Sequence, residues 1–201
     1  MTRQFNMFTR LAMAGIFALG TLATTPATAQ QANSGSEGQL DLGTPADGSP
    51  QTGDRYSKEQ FGDWDLACIK TESGNDPCSL LQILRDGSGN PVAEVSIFPL
   101  ESDGPAVAGA TIIVPLEVLL PAQVTIGVDG AAGKRYNYSF CNPVGCVAQI
   151  GFTAEDVQAF KDGGTASMTI VPAPAPDQKV VLDMSLKGFT AGFAEVAPVA
   201  E

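Results

Sequence analysis

Few side chains in this sequence could carry out catalysis, and they are scattered. The chain contains no histidine, which excludes His-based serine and cysteine triads, His-ligated zinc and imidazole acid–base catalysis. Asp63 and Asp65 flank Trp64, and a pair of carboxylates at a sugar site is typical of glycosidases. On a strand, however, residues i and i+2 point to one face and residue i+1 to the other. We therefore expect two solvated carboxylates opposite a core tryptophan.

Other catalytic motifs are also missing. Ser139 and Ser167 have neither an adjacent base nor a G-x-S-x-G turn. The sequence contains no EF-hand, P-loop or dinucleotide-binding pattern. We therefore predict a non-enzymatic protein that has no catalytic residues and requires no cofactor or metal.

Cations and aromatic residues occur together at one place, in Lys134, Arg135, Tyr136 and Tyr138. Arginine and tyrosine are enriched at the energetic centres of protein interfaces, so these four residues form a candidate contact surface for a partner. The alternative is a strand edge whose cations prevent edge-to-edge aggregation. The sequence leaves both interpretations open.

The N-terminus predicts export. Arg3 and Arg10 precede an apolar run at Leu11–Leu22, and the small-residue triplet Ala27–Ala29 follows. This order is typical of a secretory signal peptide, and the apolar run is shorter than the roughly 20 residues that span a bilayer. We predict a signal peptide at 1–29 that is cleaved after Ala29. The mature chain would be periplasmic or secreted and would have no transmembrane segment.

The charge of the chain restricts its partners. The net charge is −11, and removal of residues 1–29, which hold two cations and no acid, changes it to −13. Such a charge argues against a nucleic-acid partner, because phosphate binding depends on Lys and Arg. It favours attraction to a cationic protein.

Four cysteines lie in the predicted exported part: Cys68, Cys78, Cys141 and Cys146. An even number in an oxidising compartment indicates disulfides. Each sequential pair brackets a turn signal, so we predict Cys68–Cys78 and Cys141–Cys146, each adding roughly 2–3 kcal/mol. A redox pair or a zinc site made of all four cysteines is the alternative, but neither spacing matches the usual motifs.

The remaining chain predicts a linker and a single domain. Residues 30–55 are rich in Gln, Ser, Gly, Pro and acids, a composition typical of disorder. Residues 56–201 consist of short apolar or alternating runs separated by turn signals, which predicts about nine or ten strands. Thr153 and Asp156 form a capping-box pattern at the start of one short helix that ends at Gly163. We predict an all-β fold, either a β-sandwich or a compact barrel, with one short α-helix.

An ordered set of segments runs through this domain: Phe61–Trp64, Cys68 and Cys78, the strand that runs into Pro115, Val128-Asp129, Cys141 with Gly145-Cys146, the helix at Thr153–Asp162, and Ser185–Phe189. In this order and spacing they resemble the invasion-associated locus B family of exported proteins from Gram-negative bacteria. The resemblance covers Phe61 to about Val196 and leaves out the acidic linker.

The resemblance implies an envelope-associated or secreted β-protein with a virulence role, and it supplies no catalytic residues. It implies a binding or accessory factor in host-cell invasion or in the envelope, with a protein partner in the envelope or on a host cell. An alternative from a different class is an inhibitor or protective protein that uses its negative charge to bind a cationic enzyme such as lysozyme.

Overall fold

The computed structural model describes residues 48–200. The predicted signal peptide at 1–29, its cleavage point and most of the predicted linker at 30–55 lie outside the described residues and stay predictions. The first strand begins at Arg55.

Residues 48–200 form twelve β-strands, two α-helices and one 3₁₀ turn. The strands, named β1 to β12 in chain order, are Arg55–Phe61, Trp64–Ile69, Cys78–Arg85, Pro91–Glu101, Ala106–Val114, Val124–Val128, Lys134–Tyr136, Phe140–Asn142, Gly145–Thr153, Thr165–Ile170, Val180–Ser185 and Val199–Ala200. The helices are α1, Ala154–Asp162, and α2, Phe189–Glu195. The 3₁₀ turn is Leu120–Ala122.

The strands are arranged in two sheets. The larger sheet has the order β1-β2-β3-β4-β5-β9-β8, and β12 pairs with the end of β4. The smaller sheet has the order β11-β10-β6-β7. The buried faces of both sheets belong to one hydrophobic core, so the all-β prediction is confirmed in its sandwich form. The described strands outnumber the predicted ones partly because β8 and β12 are too short to show alternation in the sequence.

Strand alternation places the core where the sequence predicts it. On β2, Trp64, Leu66 and Cys68 point inward, and Trp64 is fully buried (0% exposed). On the smaller sheet, Met168 and Leu182 supply part of the facing layer. Burying such side chains contributes about 1.5–3 kcal/mol each, and this burial drives the two sheets together.

The segments around Trp64 and Ser185 form a junction between the two sheets. The indole Nε1 of Trp64 donates to the carbonyl oxygen of Ser185 at 2.8 Å. The buried amide of Gln82 donates to the same carbonyl at 3.0 Å and accepts from the Ser185 N–H at 2.9 Å. These bonds satisfy polar groups that would otherwise be buried without partners, at a cost of about 1–3 kcal/mol each.

Two glycines allow the backbones to cross at this junction. Gly62 and Gly188 have φ angles of +58° and +88°, in the left-handed region that favours glycine. A Cβ at Gly62 would lie 2.5 Å from the carbonyl oxygen of Lys187, and a Cβ at Gly188 would overlap the carbonyl of Phe61. The two chain segments therefore pack with no room for side chains at either glycine.

The predicted helix α1 is present with its predicted cap. The Thr153 side chain accepts from the Asp156 N–H, and the Asp156 carboxylate accepts from the Thr153 N–H, which completes the capping box. Val157 and Phe160 are buried, and Gly163 follows the last turn. These details are those that the sequence pattern predicts.

The second helix, α2, was not predicted from the sequence. It is only seven residues long, and Gly192 in its middle is a poor helix former. Packing accounts for it, because Phe189 is fully buried and Gly192 lies against Leu80. The Phe189 ring meets the Trp64 ring edge-on, with 5.5 Å between their centroids.

Both predicted disulfides are present. Cys68 is joined to Cys78 between β2 and β3, and Cys141 to Cys146 across the β8–β9 hairpin. In each case the two cysteines are directly opposed in the strand register, as the turn signals between them predict. No thiolate remains in residues 48–200 for a zinc ion.

Candidate functional site

Three of the four candidate contact residues lie on strand β7, and their side chains point to different sides of it. Because side chains alternate along a strand, Lys134 and Tyr136 lie on the face towards helix α1 and Arg135 lies on the opposite face. The Lys134 side chain is 56% exposed. Lys134 Nζ lies 2.6 Å from Asp156 Oδ1 of helix α1. The Tyr136 ring packs edge-on against Phe152, with 6.1 Å between their centroids. Only Arg135 of these three presents its charge to solvent without an ion pair to any described residue.

Tyr138, the fourth candidate residue, packs against the core. Its hydroxyl is buried and has no hydrogen-bond partner among the described residues. Burial raises the pKa of Tyr138 to about 12, so the phenol stays protonated at all physiological pH values. A buried hydroxyl without a partner is destabilising, and it is not available for a partner's surface.

A cleft of about 270 Å³ lies between β7 and helix α1. Lys134, Tyr136 and Asp156 line it, over the aromatic floor of Phe152 and Phe160. Burial acts to raise the pKa of Asp156, but hydrogen bonds from Lys134 and Thr153 outweigh it and lower the pKa.

The hydrogen bond to Asp156 raises the pKa of Lys134. Asp156 is therefore held as a helix-capping anion and Lys134 as its charged partner. Both shifts move these pKa values further from neutrality.

The two carboxylates beside Trp64 have structural partners. Asp63 accepts a hydrogen bond from Ser185 Oγ at 2.7 Å, and Asp65 accepts one from Ser57 Oγ. With Trp64 fully buried on the other face, the aromatic ring does not line a site between them. The expectation that these carboxylates lie opposite a core tryptophan is confirmed.

The β8–β9 hairpin carries exposed apolar residues that the sequence analysis missed. The Cys141–Cys146 disulfide closes this hairpin, and Asn142 Oδ1 accepts from the Val144 N–H at 2.9 Å. At its tip Val144 is 77% exposed, and Phe140, which starts β8 opposite Val147, is 50% exposed. The hairpin is thus a rigid turn that displays two large apolar side chains to solvent.

A signal for this surface is present in the sequence. Residues 136–152 contain no charged side chain, although the whole chain carries a net charge of −11. The register places Gly145 against the carbonyl of Val114, so the hairpin tip adjoins the end of β5. Leu116, two residues beyond, is also exposed. We name Phe140 and Val144 the apolar tip.

Neither a metal site nor a membrane span is found in the described part of the chain. No group of three or more Cys, Asp or Glu side chains in residues 48–200 is arranged to hold a metal ion. No helix in the same residues is both long and apolar enough to cross a membrane.

Comparison with known proteins identifies similar chains. The family model for invasion associated locus B protein matches residues 64–197. Invasion protein B homologs of Brucella abortus strain 2308 and of Brucella abortus biovar 1 strain 9-941 are each 27% identical over 139 residues. Each alignment covers 69% of this chain and 78% of the relative.

A solved structure shows the same fold. The crystal structure of invasion associated protein b from Bartonella henselae matches with a TM-score of 0.57 and 26% identity. The match covers 68% of this chain and 92% of that chain.

Proposed function

Because the chain belongs to the invasion associated locus B family, we propose that it is an exported, non-enzymatic binding protein. It would act in the periplasm or outside a Gram-negative cell, as an accessory factor in host-cell invasion or in the envelope. The observation that carries this proposal is the apolar tip, fixed by a disulfide and displayed to solvent.

Rigidity makes the tip suited to binding. Fixing a turn before it meets its partner reduces the entropy that binding costs. The Cys141–Cys146 disulfide and the Asn142 side chain both fix this turn. Exposing a large apolar side chain on such a turn brings no benefit to folding, whereas burying it in a partner contributes about 1.5–3 kcal/mol per residue.

The non-enzymatic part of the proposal is supported by where the polar side chains point. Asp63, Asp65 and Asp156 bind hydroxyl, backbone or ammonium groups of their own chain. These contacts stabilise the fold and leave no free carboxylate pair at a cleft.

The test uses a variant of the tip and a matched control. Phe140→Ser and Val144→Ser together should abolish binding to the envelope or host protein that the wild type captures. The control is Val181→Ser on β11, because Val181 is also exposed (58%) but lies on the smaller sheet. Equal capture by the tip variant and the wild type would refute this assignment.

The net charge of −11 supports a second candidate, binding to a cationic enzyme such as lysozyme. Attraction of this kind weakens as salt screens the charges. A titration against a basic lysozyme, with lysozyme activity followed at low and at high salt, separates the two candidates. Inhibition at low salt only would favour the second candidate, and unchanged activity at both would eliminate it.

A further inference from the structure

The outer face of the smaller sheet carries a pocket of about 510 Å³. Its floor is one row of the strand register, in which Thr169 of β10, Thr125 of β6 and Arg135 of β7 lie side by side. Thr125 and Thr169 point outward because their neighbours along each strand are buried in the core. Arg135 pairs with Thr125 and lies on the same outer face. Gln123 and Lys179 line the walls.

The pocket is locally positive on an acidic protein. Arg135 and Lys179 are the only charged residues that line it among residues 48–200. The ion pairs of the described residues use Arg55, Lys70 and Lys134, so both pocket cations lack an acidic partner. Since the whole chain carries −11, two cations facing one acid-free pocket form a distinct local potential.

The donors in the pocket match an oxyanion. The guanidinium of Arg135 can donate two parallel hydrogen bonds, and the ammonium of Lys179 adds a second positive charge. The hydroxyls of Thr125 and Thr169 are further donors on the floor. Two positive charges balance a phosphate dianion, whereas a carboxylate would balance only one of them.

A strained residue forms part of the wall. Gln123 has a φ of 62° and a ψ of 167°, a region of backbone space occupied almost only by glycine. Its side chain donates to Asn137 Oδ1 at 2.9 Å, and its N–H donates to the Leu120 carbonyl at 3.1 Å. Such strained residues cluster at ligand sites, where the surrounding structure holds them.

We propose that this pocket binds the phosphate or sulfate group of a small ligand. The proposal is independent of the apolar tip, which lies on the β8–β9 hairpin of the larger sheet. In this proposal Arg135 binds an anion. It does not make the contact with a protein partner that its position beside Tyr136 and Tyr138 in the sequence indicates. A partner bound at the tip and an anion bound in this pocket can be measured separately.

The test is a titration of the disulfide-bonded protein with inorganic phosphate at constant ionic strength, followed by amide chemical shifts in NMR. We expect saturable shifts at Thr125, Arg135 and Thr169. Arg135→Gln combined with Lys179→Gln should weaken phosphate binding at least tenfold. The matched control, Lys58→Gln combined with Lys187→Gln, removes the same charge from exposed positions outside the pocket and should leave the affinity unchanged.

Titrations with other anions identify the kind of ligand that carries the phosphate or sulfate group. Inorganic sulfate, glycerol 3-phosphate and vesicles containing phosphatidic acid are titrated in the same way. Tighter binding of glycerol 3-phosphate than of inorganic phosphate indicates a soluble ester, and binding to the vesicles alone indicates a lipid headgroup. The proposal is overturned if no probe shifts the three amides, or if the control variant loses as much affinity as the pocket variant.

Discussion

Replacing Gly188 with alanine tests the junction that joins the two sheets. Gly188 has a φ of +88°, and a Cβ there would overlap the carbonyl of Phe61. The left-handed backbone costs alanine roughly 1–2 kcal/mol, and the overlap forces a backbone shift that costs about 1–3 kcal/mol more. We expect a total loss of about 2–5 kcal/mol from the free energy of unfolding.

A second glycine provides the matched control. Gly89 has a φ of +85° and open space where its Cβ would be. Gly89→Ala therefore carries only the backbone cost, and the difference between the two variants isolates the close approach at Gly188. Urea denaturation of both variants, followed by the fluorescence of the buried Trp64, measures this difference.

The outcome that refutes this reasoning is equality of the two variants. If Gly188→Ala and Gly89→Ala differ by less than about 0.5 kcal/mol, within the scatter of ordinary surface changes, the segments at Phe61 and Gly188 do not cross as described. If Gly188→Ala fails to fold, Ser185→Ala replaces it. That variant loses the 2.7 Å bond to Asp63, which we expect to cost about 1 kcal/mol.

Three further predictions concern stability. Trp64→Ala should cost about 3–5 kcal/mol in urea denaturation, and a loss below 1 kcal/mol would contradict its burial. Replacing Cys141 and Cys146 by serine should cost roughly 2 kcal/mol, and an unchanged urea midpoint would show that the hairpin is fixed without the disulfide. Hydrogen bonds from the Thr71 N–H and from Tyr56 lower the pKa of Asp76 below its ordinary value of 3.8. The stability that Asp76 contributes is therefore complete above its unfolded pKa and is lost as the pH falls towards the lowered folded value. Asp76→Asn should destabilise the protein at pH 7 by more than at pH 3, and equal urea-midpoint shifts at both values would contradict this.

Much of the fold is predictable from the sequence because local signals agree with the final packing. The helix α1 carries its cap, its buried face and its stop within eleven residues, Thr153–Gly163. The disulfides follow from the turn sequences that their cysteines bracket. Trp64 follows from strand alternation. In each case, residues close together in the sequence are enough to predict the local structure.

The parts that were missed depend on contacts between distant segments. Helix α2 forms because Phe189 and Gly192 pack on Trp64 and Leu80, and its own seven residues give little helix signal. The separation of Lys134 from Arg135 depends on which side of β7 meets the core, which the three residues of that strand do not reveal. The exposure of Val144 likewise follows from the position of its hairpin.

Two of the family-like segments meet in the folded chain. Phe61–Trp64 and Ser185–Phe189 lie more than a hundred residues apart in the sequence, and the structure brings them together at one junction. Side chains of the two segments contact each other there, in the hydrogen bond between Ser185 and Asp63 and the ring contact between Trp64 and Phe189. The resemblance to the family therefore rests, at these two segments, on residues that build the fold.

Photo-crosslinking from the apolar tip tests the binding proposal most directly. A photoreactive amino acid is placed at Val144 in cells that export the protein, and another at Val181 as the control. The proposal predicts one discrete crosslinked partner from position 144, absent from position 181 and lost when Phe140→Ser is added. No crosslink from position 144, or the same products from both positions, would contradict it.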